Sequence, residues 1–327
     1  RFRFKVCFFV LMNAIPYKAK QFLLVLLKLL IVCGAVAFLY AQLKTKDLSD
    51  WHLVTQKFTF LSFLGILFLS FLNWLLECLK WKNLVSGFKK ITFKKAVEQT
   101  LGSLTASIFT PNRIGEYVAK GMYYSKEQTK KIIFLNFLGN SVQMLVTLFF
   151  GLIGCVFFFI LSPNLFEENY FTSGFLFWLP VILAFGLILG LIYFKKWRFY
   201  GYSIDNLIGK IHLFPARKHF ANVQFSILRY LVFSHQFYFL LLLFDVNLHY
   251  PDALLTIFTM YFFASVVPTI HLMDVVVKGS VAVFLFGKLG VNQWTVVSVT
   301  TVMWLLNLVI PVLIGSVFVL NYKPLRK

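Results

Sequence analysis

A short run between two apolar stretches, residues 110–120 (TPNRIGEYVAK), combines a proline, a glycine, two bases and an acid. Pro111 prevents one continuous helix, and Gly115 permits a backbone turn that other residues resist. The charged side chains stand three and four residues apart, which would place them on one helical face: Arg113, Glu116 and Lys120. This pattern favours a broken helix that binds a charged molecule. The alternative is a solvated cytoplasmic loop that begins a helix.

A second run, residues 267–279 (VPTIHLMDVVVKG), repeats the combination of a break and paired charges. Pro268 interrupts an apolar segment, and Asp274 and Lys278 follow at a spacing of four. His271 lies between Pro268 and Asp274, and it is expected to be satisfied by hydrogen bonds or to face a headgroup rather than to act in catalysis. Paired broken helices are the best sequence indication of a substrate site in transporters.

Polar side chains recur on one face of several apolar segments, which could position these two runs around a common interior. The first stripe contains Asn136, Asn140, Gln143 and Thr147, and shorter ones contain Asn73, Glu77 and Lys80, then Arg229 and Gln236, then Thr300 and Asn307. We count Asn140 among the substrate-binding residues. The alternative for each stripe is hydrogen bonding between helices.

The composition is that of a polytopic membrane protein. Of 327 residues, 59% are hydrophobic and only 13% are charged, whereas soluble domains average about 25% charged. We expect an all-α bundle of about seven full spans plus two re-entrant helical pairs, built as one domain over 1–327 with a basic interfacial segment at 1–20. The clearest spans are Phe22–Leu43, Phe58–Leu79, Ile132–Leu161, Phe175–Phe194, Val223–Phe244 and Trp294–Leu320.

The net charge of +20 comes from bases that cluster at the ends of these spans. That distribution follows the positive-inside rule, so nucleic-acid binding is not expected, while attraction to anionic headgroups is compatible with it. It places both termini in the cytoplasm and the acidic loop 162–173 outside. The two short broken segments then enter from opposite sides, as an inverted repeat predicts.

The motif TPNRIGE at 110–116 resembles the T-P-x-R-x-G-E run of the lysylphosphatidylglycerol synthetase transmembrane-region family, the flippase-like membrane domains. The second break is similar to the family's second motif, with Asp274 and Lys278 as its acid and base and with residues 271–273 in place of glycines. The resemblance covers most of residues 20–320. It implies translocation of lipids or lipid-linked molecules across the bacterial inner membrane. Some members also carry a soluble aminoacyl-transferase, which is not recognised here.

We therefore expect Arg113 and Lys120 to hold a phosphate and Glu116 to orient Arg113 or to meet a cationic headgroup. Asp274 and Lys278 would form the matching pair, and the partners would be anionic membrane lipids. No metal-ligand spacing, Walker motif or nucleophile elbow occurs in the sequence, so no cofactor is predicted and enzymatic activity is left open. The alternatives are a membrane-embedded enzyme, the membrane subunit of a lipid-modifying or glycosyl-transferring system with a separate transferase, or a scaffold without turnover. The lipid, the energy source and the oligomeric state stay open.

Overall fold

The computed structural model describes residues 59–110, 113–161, 198–199, 202–203, 209, 211, 214–267, 269–270 and 273–322, with side chains up to 156 in the second of these ranges. The predicted spans Phe22–Leu43 and Phe175–Phe194 and the segment 1–20 lie outside the described residues. So do three predicted site positions: Pro111, Pro268 and His271.

The described part of the chain is helical apart from one small ladder. Its helices are α1 Phe60–Val85, α2 Phe93–Ser107, α3 Ile114–Met122, α4 Lys126–Leu161, α5 Ala216–Leu243, α6 Tyr250–Val266, α7 Asp274–Lys288, α8 Gln293–Trp304 and α9 Ile310–Leu320, with a π-helical turn at Leu305–Val309 joining the last two. Two-residue strands, β1 Arg198–Phe199 and β2 Tyr202–Ser203, pair antiparallel with Arg198 opposite Ser203.

Four helical segments of the described residues are long and apolar enough to cross a membrane. They are α1, the first 31 residues of α4, α5, and the continuous segment Gln293–Leu320. The protein is therefore a multi-pass membrane protein. The predicted number of about seven full spans exceeds what the structure shows, because the described residues contain four.

Sequence features fix where several of these helices begin. The hydroxyl of Thr59 accepts a hydrogen bond from the Ser62 amide at 3.3 Å, and Thr92 does the same for Lys95. The Asn292 carboxamide accepts from the Trp294 amide at 2.8 Å and caps α8. These side chains satisfy amides that a helix start leaves without intrahelical partners.

The helices on either side of each predicted break are short. Helix α2 ends at Ser107 before α3 begins, and α6 ends at Val266 before α7 begins. The longest of the four, α6, has 17 residues and measures about 26 Å, less than the roughly 30 Å hydrocarbon core. The helix–break–helix pattern is thus present at both places.

Aromatic and close backbone contacts hold the bundle together. Tyr230 of α5 stacks on Phe150 of α4 with ring centroids 4.9 Å apart, and Phe258 of α6 completes the cluster. Gly315 lets α9 approach the backbone of α2 at Leu101 so closely that an added Cβ would clash. Since lipid provides no hydrophobic force between helices, such close packing stabilises a membrane bundle.

The buried side chain of Gln99 links α1, α2 and the turn between α3 and α4. Gln99 of α2 accepts at its Oε1 from the indole of Trp81 and from the hydroxyl of Tyr124, each at 2.8 Å. All three side chains are buried. One oxygen therefore satisfies two donors that could not reach water, which fixes α1, α2 and the turn between α3 and α4 relative to one another.

Candidate functional site

Glu116 is the centre of a charge cluster on α3. Its Oε2 lies 2.8 Å from Nη2 of Arg113, and its Oε1 lies 2.7 Å from Nζ of Lys120. The Lys120 ammonium also donates to Oδ1 of Asn136 on α4 at 2.8 Å. The side chains of Glu116 and Lys120 are each 1% exposed, whereas that of Arg113 is 25% exposed. The predicted spacing thus brings all three charges together, with only the arginine open to its surroundings.

The backbone before α3 folds back on the end of α2. The Thr110 hydroxyl donates to the Ser107 carbonyl at 2.7 Å and accepts from the Gly115 amide at 3.0 Å. A Cβ on Gly115 would lie 2.8 Å from Cγ2 of Thr110, so glycine is needed here for close approach. The left-handed residue is Arg113, with φ of +58°, and not Gly115, which lies in the first turn of the helix.

Lys120 is held on all sides by protein groups. Its ammonium lies 4.2 Å from the ring centroid of Trp81 on α1, in addition to its contacts with Glu116 and Asn136. The predicted role of Lys120 as a direct phosphate ligand does not match this placement, because its donors face Glu116 and Asn136.

A second cluster with the same composition lies between α1 and α5. Oε2 of Glu77 is 2.7 Å from Nζ of Lys80 and 2.7 Å from Nη1 of Arg229. The lysine and the glutamate are 2% and 3% exposed, whereas the arginine is 13% exposed. Lys80 also donates to Oε1 of Gln143 on α4 at 3.4 Å. Each cluster therefore consists of a buried lysine, a buried glutamate and a more accessible arginine.

A chain of amides extends from this second cluster to the π-helical turn. Nε of Arg229 donates to Oδ1 of Asn73 at 2.9 Å, and Nδ2 of Asn73 donates to Oδ1 of Asn307 at 2.8 Å. Asn307 donates in turn to Gln236, and Gln236 donates to Ser70 at 2.7 Å. The polar stripes of α1, α5 and the final span thus meet as hydrogen-bonded partners, which is the alternative stated for them above.

The acid and the base that follow the second break pair with each other on α7. Oδ2 of Asp274 lies 2.6 Å from Nζ of Lys278, and their side chains are 19% and 39% exposed. The ammonium lies 5.8 Å from the ring centroid of Tyr261 on α6. This pair is therefore more accessible than either glutamate-centred cluster.

A cavity of about 410 Å³ connects these groups. Its charged lining residues come from the position directly before α3, from α5 and from α7: Arg113, Arg229, Asp274 and Lys278. Trp74 and Trp304 contribute aromatic surface, and Phe233 and Met260 contribute apolar surface. With ordinary charge states, each glutamate-centred cluster carries one positive charge in excess. The cavity is therefore suited to a ligand with an anionic group and an apolar portion that can pack against aromatic side chains.

The predicted site residues divide into two groups in the structure. Arg113, Asp274 and Lys278 line the cavity, while Glu116 and Lys120 stand behind Arg113. The remaining described residue is Asn140, which donates to the Tyr117 hydroxyl at 3.4 Å and is not among the cavity-lining residues.

Sequence reasoning missed the second cluster as part of the site. Glu77, Lys80 and Arg229 were recognised only as members of polar stripes on separate spans. Their signal was present, because an ionisable residue inside an apolar span indicates function by default. The sequence does not indicate, however, that Arg229 is the partner of Glu77, because the two residues lie 152 positions apart.

Comparison with known proteins gives one family. A model of the lysylphosphatidylglycerol synthase TM region matches residues 25–315 of the chain. The chain belongs to this family. The matched range includes both helical breaks and all residues that line the cavity. The family associates the protein with lipid modification or lipid translocation in a membrane. No individual curated protein matches the chain.

Proposed function

We propose that this protein binds the phosphate-bearing headgroup of a lipid or lipid-linked molecule in the cavity and moves it across the bilayer. The observation that carries the proposal is that charged residues from both helical breaks line one cavity: Arg113 from the first, and Asp274 and Lys278 from the second. Family membership supports a lipid as the substrate class.

Arg113 is the residue best placed to bind the phosphate. Its guanidinium is planar and permanently charged, so it can hold two phosphate oxygens at once. Glu116 contacts Nη2 of this guanidinium, and Lys120 neutralises Glu116 from the buried side. Glu116 therefore orients Arg113, and because Lys120 balances the charge of Glu116, the cluster keeps a net positive charge.

The helical breaks support an alternating movement of the headgroup. We infer that α2–α3 and α6–α7 are re-entrant pairs that enter the membrane from opposite sides, since each of these helices is shorter than the hydrocarbon core. Non-helical backbone is tolerated at membrane depth where it lines a cavity, and Arg113 lies at such a point. The bacterial inner membrane, with both termini in the cytoplasm, is the location that agrees with the basic loops.

The test is lipid movement between leaflets in proteoliposomes. Phosphatidylglycerol carries a dithionite-sensitive fluorophore on an acyl chain, and dithionite then quenches the fluorophores of the outer leaflet. Wild type, Arg113→Lys and Arg113→Ala are compared at matched protein levels. The Arg217→Ala variant is the control, because Arg217 is an exposed arginine on α5. We expect Arg113→Lys to slow exchange by about tenfold and Arg113→Ala to slow it further, since a charge-assisted contact contributes about 1.5–3 kcal/mol.

Equal rates for all four proteins would refute the role of Arg113. Lipid binding without movement in wild type would refute translocation and would instead favour the membrane subunit of a separate lipid-modifying enzyme. That outcome would be checked by native mass spectrometry of the lipid retained by wild type and by Arg113→Ala.

A further inference from the structure

Arg229 has features that a purely structural arginine would not need. It bonds Asn73 through Nε and Glu77 through Nη1, which is enough to join α5 to α1. Among the described residues, Nη2 has no hydrogen-bond acceptor, and the side chain lines the cavity. Two of the three guanidinium nitrogens are therefore held by protein, and Nη2 is left as a donor for a molecule in the cavity that this side chain lines.

The surroundings of Arg229 match those of Arg113 in three respects. Both arginines pair with a buried glutamate, and each glutamate is neutralised by a buried lysine on its own helix. In both clusters an amide of α4 accepts from the lysine, at positions seven residues apart: Asn136 and Gln143. The cavity thus has two arginines, one directly before α3 and one on α5, each supported in the same way.

We propose that Arg229 forms a second anion subsite and that the substrate carries two anionic centres, as in a diphosphate or a lipid with two phosphodiesters. This inference rests on the proposed function and specifies its substrate class. A single phosphodiester carries one charge and would leave the excess charge of one cluster uncompensated. Two phosphate groups, one on each guanidinium, compensate both.

Trp74 lies against Arg229 at the cavity. Its ring centroid is 5.6 Å from the guanidinium carbon, and both side chains line the same cavity. The Arg229–Trp74 contact restrains the guanidinium without using any of its N–H donors. The Asp274–Lys278 pair adds no net charge, so the excess arises from the two glutamate-centred clusters.

The experiment uses a matched pair of probes, farnesyl monophosphate and farnesyl diphosphate, with the full chain in nanodiscs. Inorganic phosphate and diphosphate serve as probes without a lipid chain. Binding is followed by tryptophan fluorescence, since Trp74 and Trp304 line the cavity. Near pH 5 a phosphate monoester carries about one charge, because its second pKa is about 6, and the diphosphate carries at least one more.

Wild type should bind farnesyl diphosphate about tenfold more tightly than the monophosphate. Arg229→Gln should lose that preference and should bind the monophosphate nearly as wild type does. Arg217→Gln, the same change in charge on an exposed position of α5, should keep the preference. Folding of each variant is checked by thermal unfolding. If Arg229→Gln does not fold, Arg229→Lys replaces it in the experiment. Because lysine retains the charge, Arg229→Lys should keep part of the preference for the diphosphate.

Equal affinity of wild type for the two farnesyl probes would overturn the second subsite, as would an equal loss for both probes in Arg229→Gln. Neither result would affect the role of Arg113 in transport. If inorganic diphosphate binds as tightly as farnesyl diphosphate, the two-arginine site stands, but the proposal of a lipid substrate fails.

Discussion

The buried contact between Glu116 and Lys120 gives the sharpest quantitative prediction. Glu116→Gln leaves Lys120, 1% exposed, without an anion among its described contacts. Removing one member of a buried ion pair costs about 3–5 kcal/mol, because the remaining charge is neither hydrated nor paired. Lys120→Met removes the cation instead and leaves Glu116 with Arg113 as its counterion, so we expect a smaller cost, about 2–3 kcal/mol, part of it from the lost bond to Asn136.

The double variant Glu116→Gln, Lys120→Met separates charge balance from packing. It removes one acid and one base together, and a buried pair can be replaced by uncharged groups of similar volume at little cost. We therefore expect it to be destabilised by no more than about 1–2 kcal/mol, well below the sum of the two single changes.

The assay is reversible unfolding of the purified protein in mixed micelles. Wild type, the two single variants, the double variant and a control variant are measured under the same conditions. Arg217→Gln reports the effect of removing an exposed charge and should be close to wild type. If the double variant is as unstable as the two single changes added together, the pair does not act through charge compensation and the reasoning is wrong.

The sequence and the fold give two further predictions. In a background without accessible cysteines, Asn169→Cys should react with an impermeant maleimide from the periplasmic side and Asn206→Cys should not; labelling of position 206 from outside would overturn the topology. Gln99→Leu should destabilise the protein by about 2–4 kcal/mol in denaturant titration, because two buried donors lose their acceptor, and a change near zero would show that water replaces it.

Local features of the site were predictable because they depend on spacing along one helix. The distance from Glu116 to Lys120 follows from a step of four residues along α3, as does the contact between Asp274 and Lys278 along α7. Arg113 also meets Glu116, but it does so from a left-handed residue directly before α3. The positions where helices end were also readable, since α2 and α6 stop before the two predicted breaks.

Partners between helices were not predictable in the same way. The contact of Arg229 with Glu77 depends on how α5 packs against α1, and no periodicity within either helix encodes that choice. The role of Gly115 was misjudged for a related reason. Its requirement comes from the nearness of Thr110 across the break, whereas the unusual backbone conformation is at Arg113.

The ion pairs also bear on how the chain enters the membrane during synthesis. Three acids have a basic partner within four residues on their own helix, in the pairs Glu77–Lys80, Glu116–Lys120 and Asp274–Lys278. Each of these helices can therefore leave the translocon with its own charges compensated, before any later segment exists. Arg229 is different, because its acid lies on α1 and is synthesised first. Insertion of α5 thus depends on α1 still being nearby, and the nascent protein must retain its first described helix until the fifth arrives.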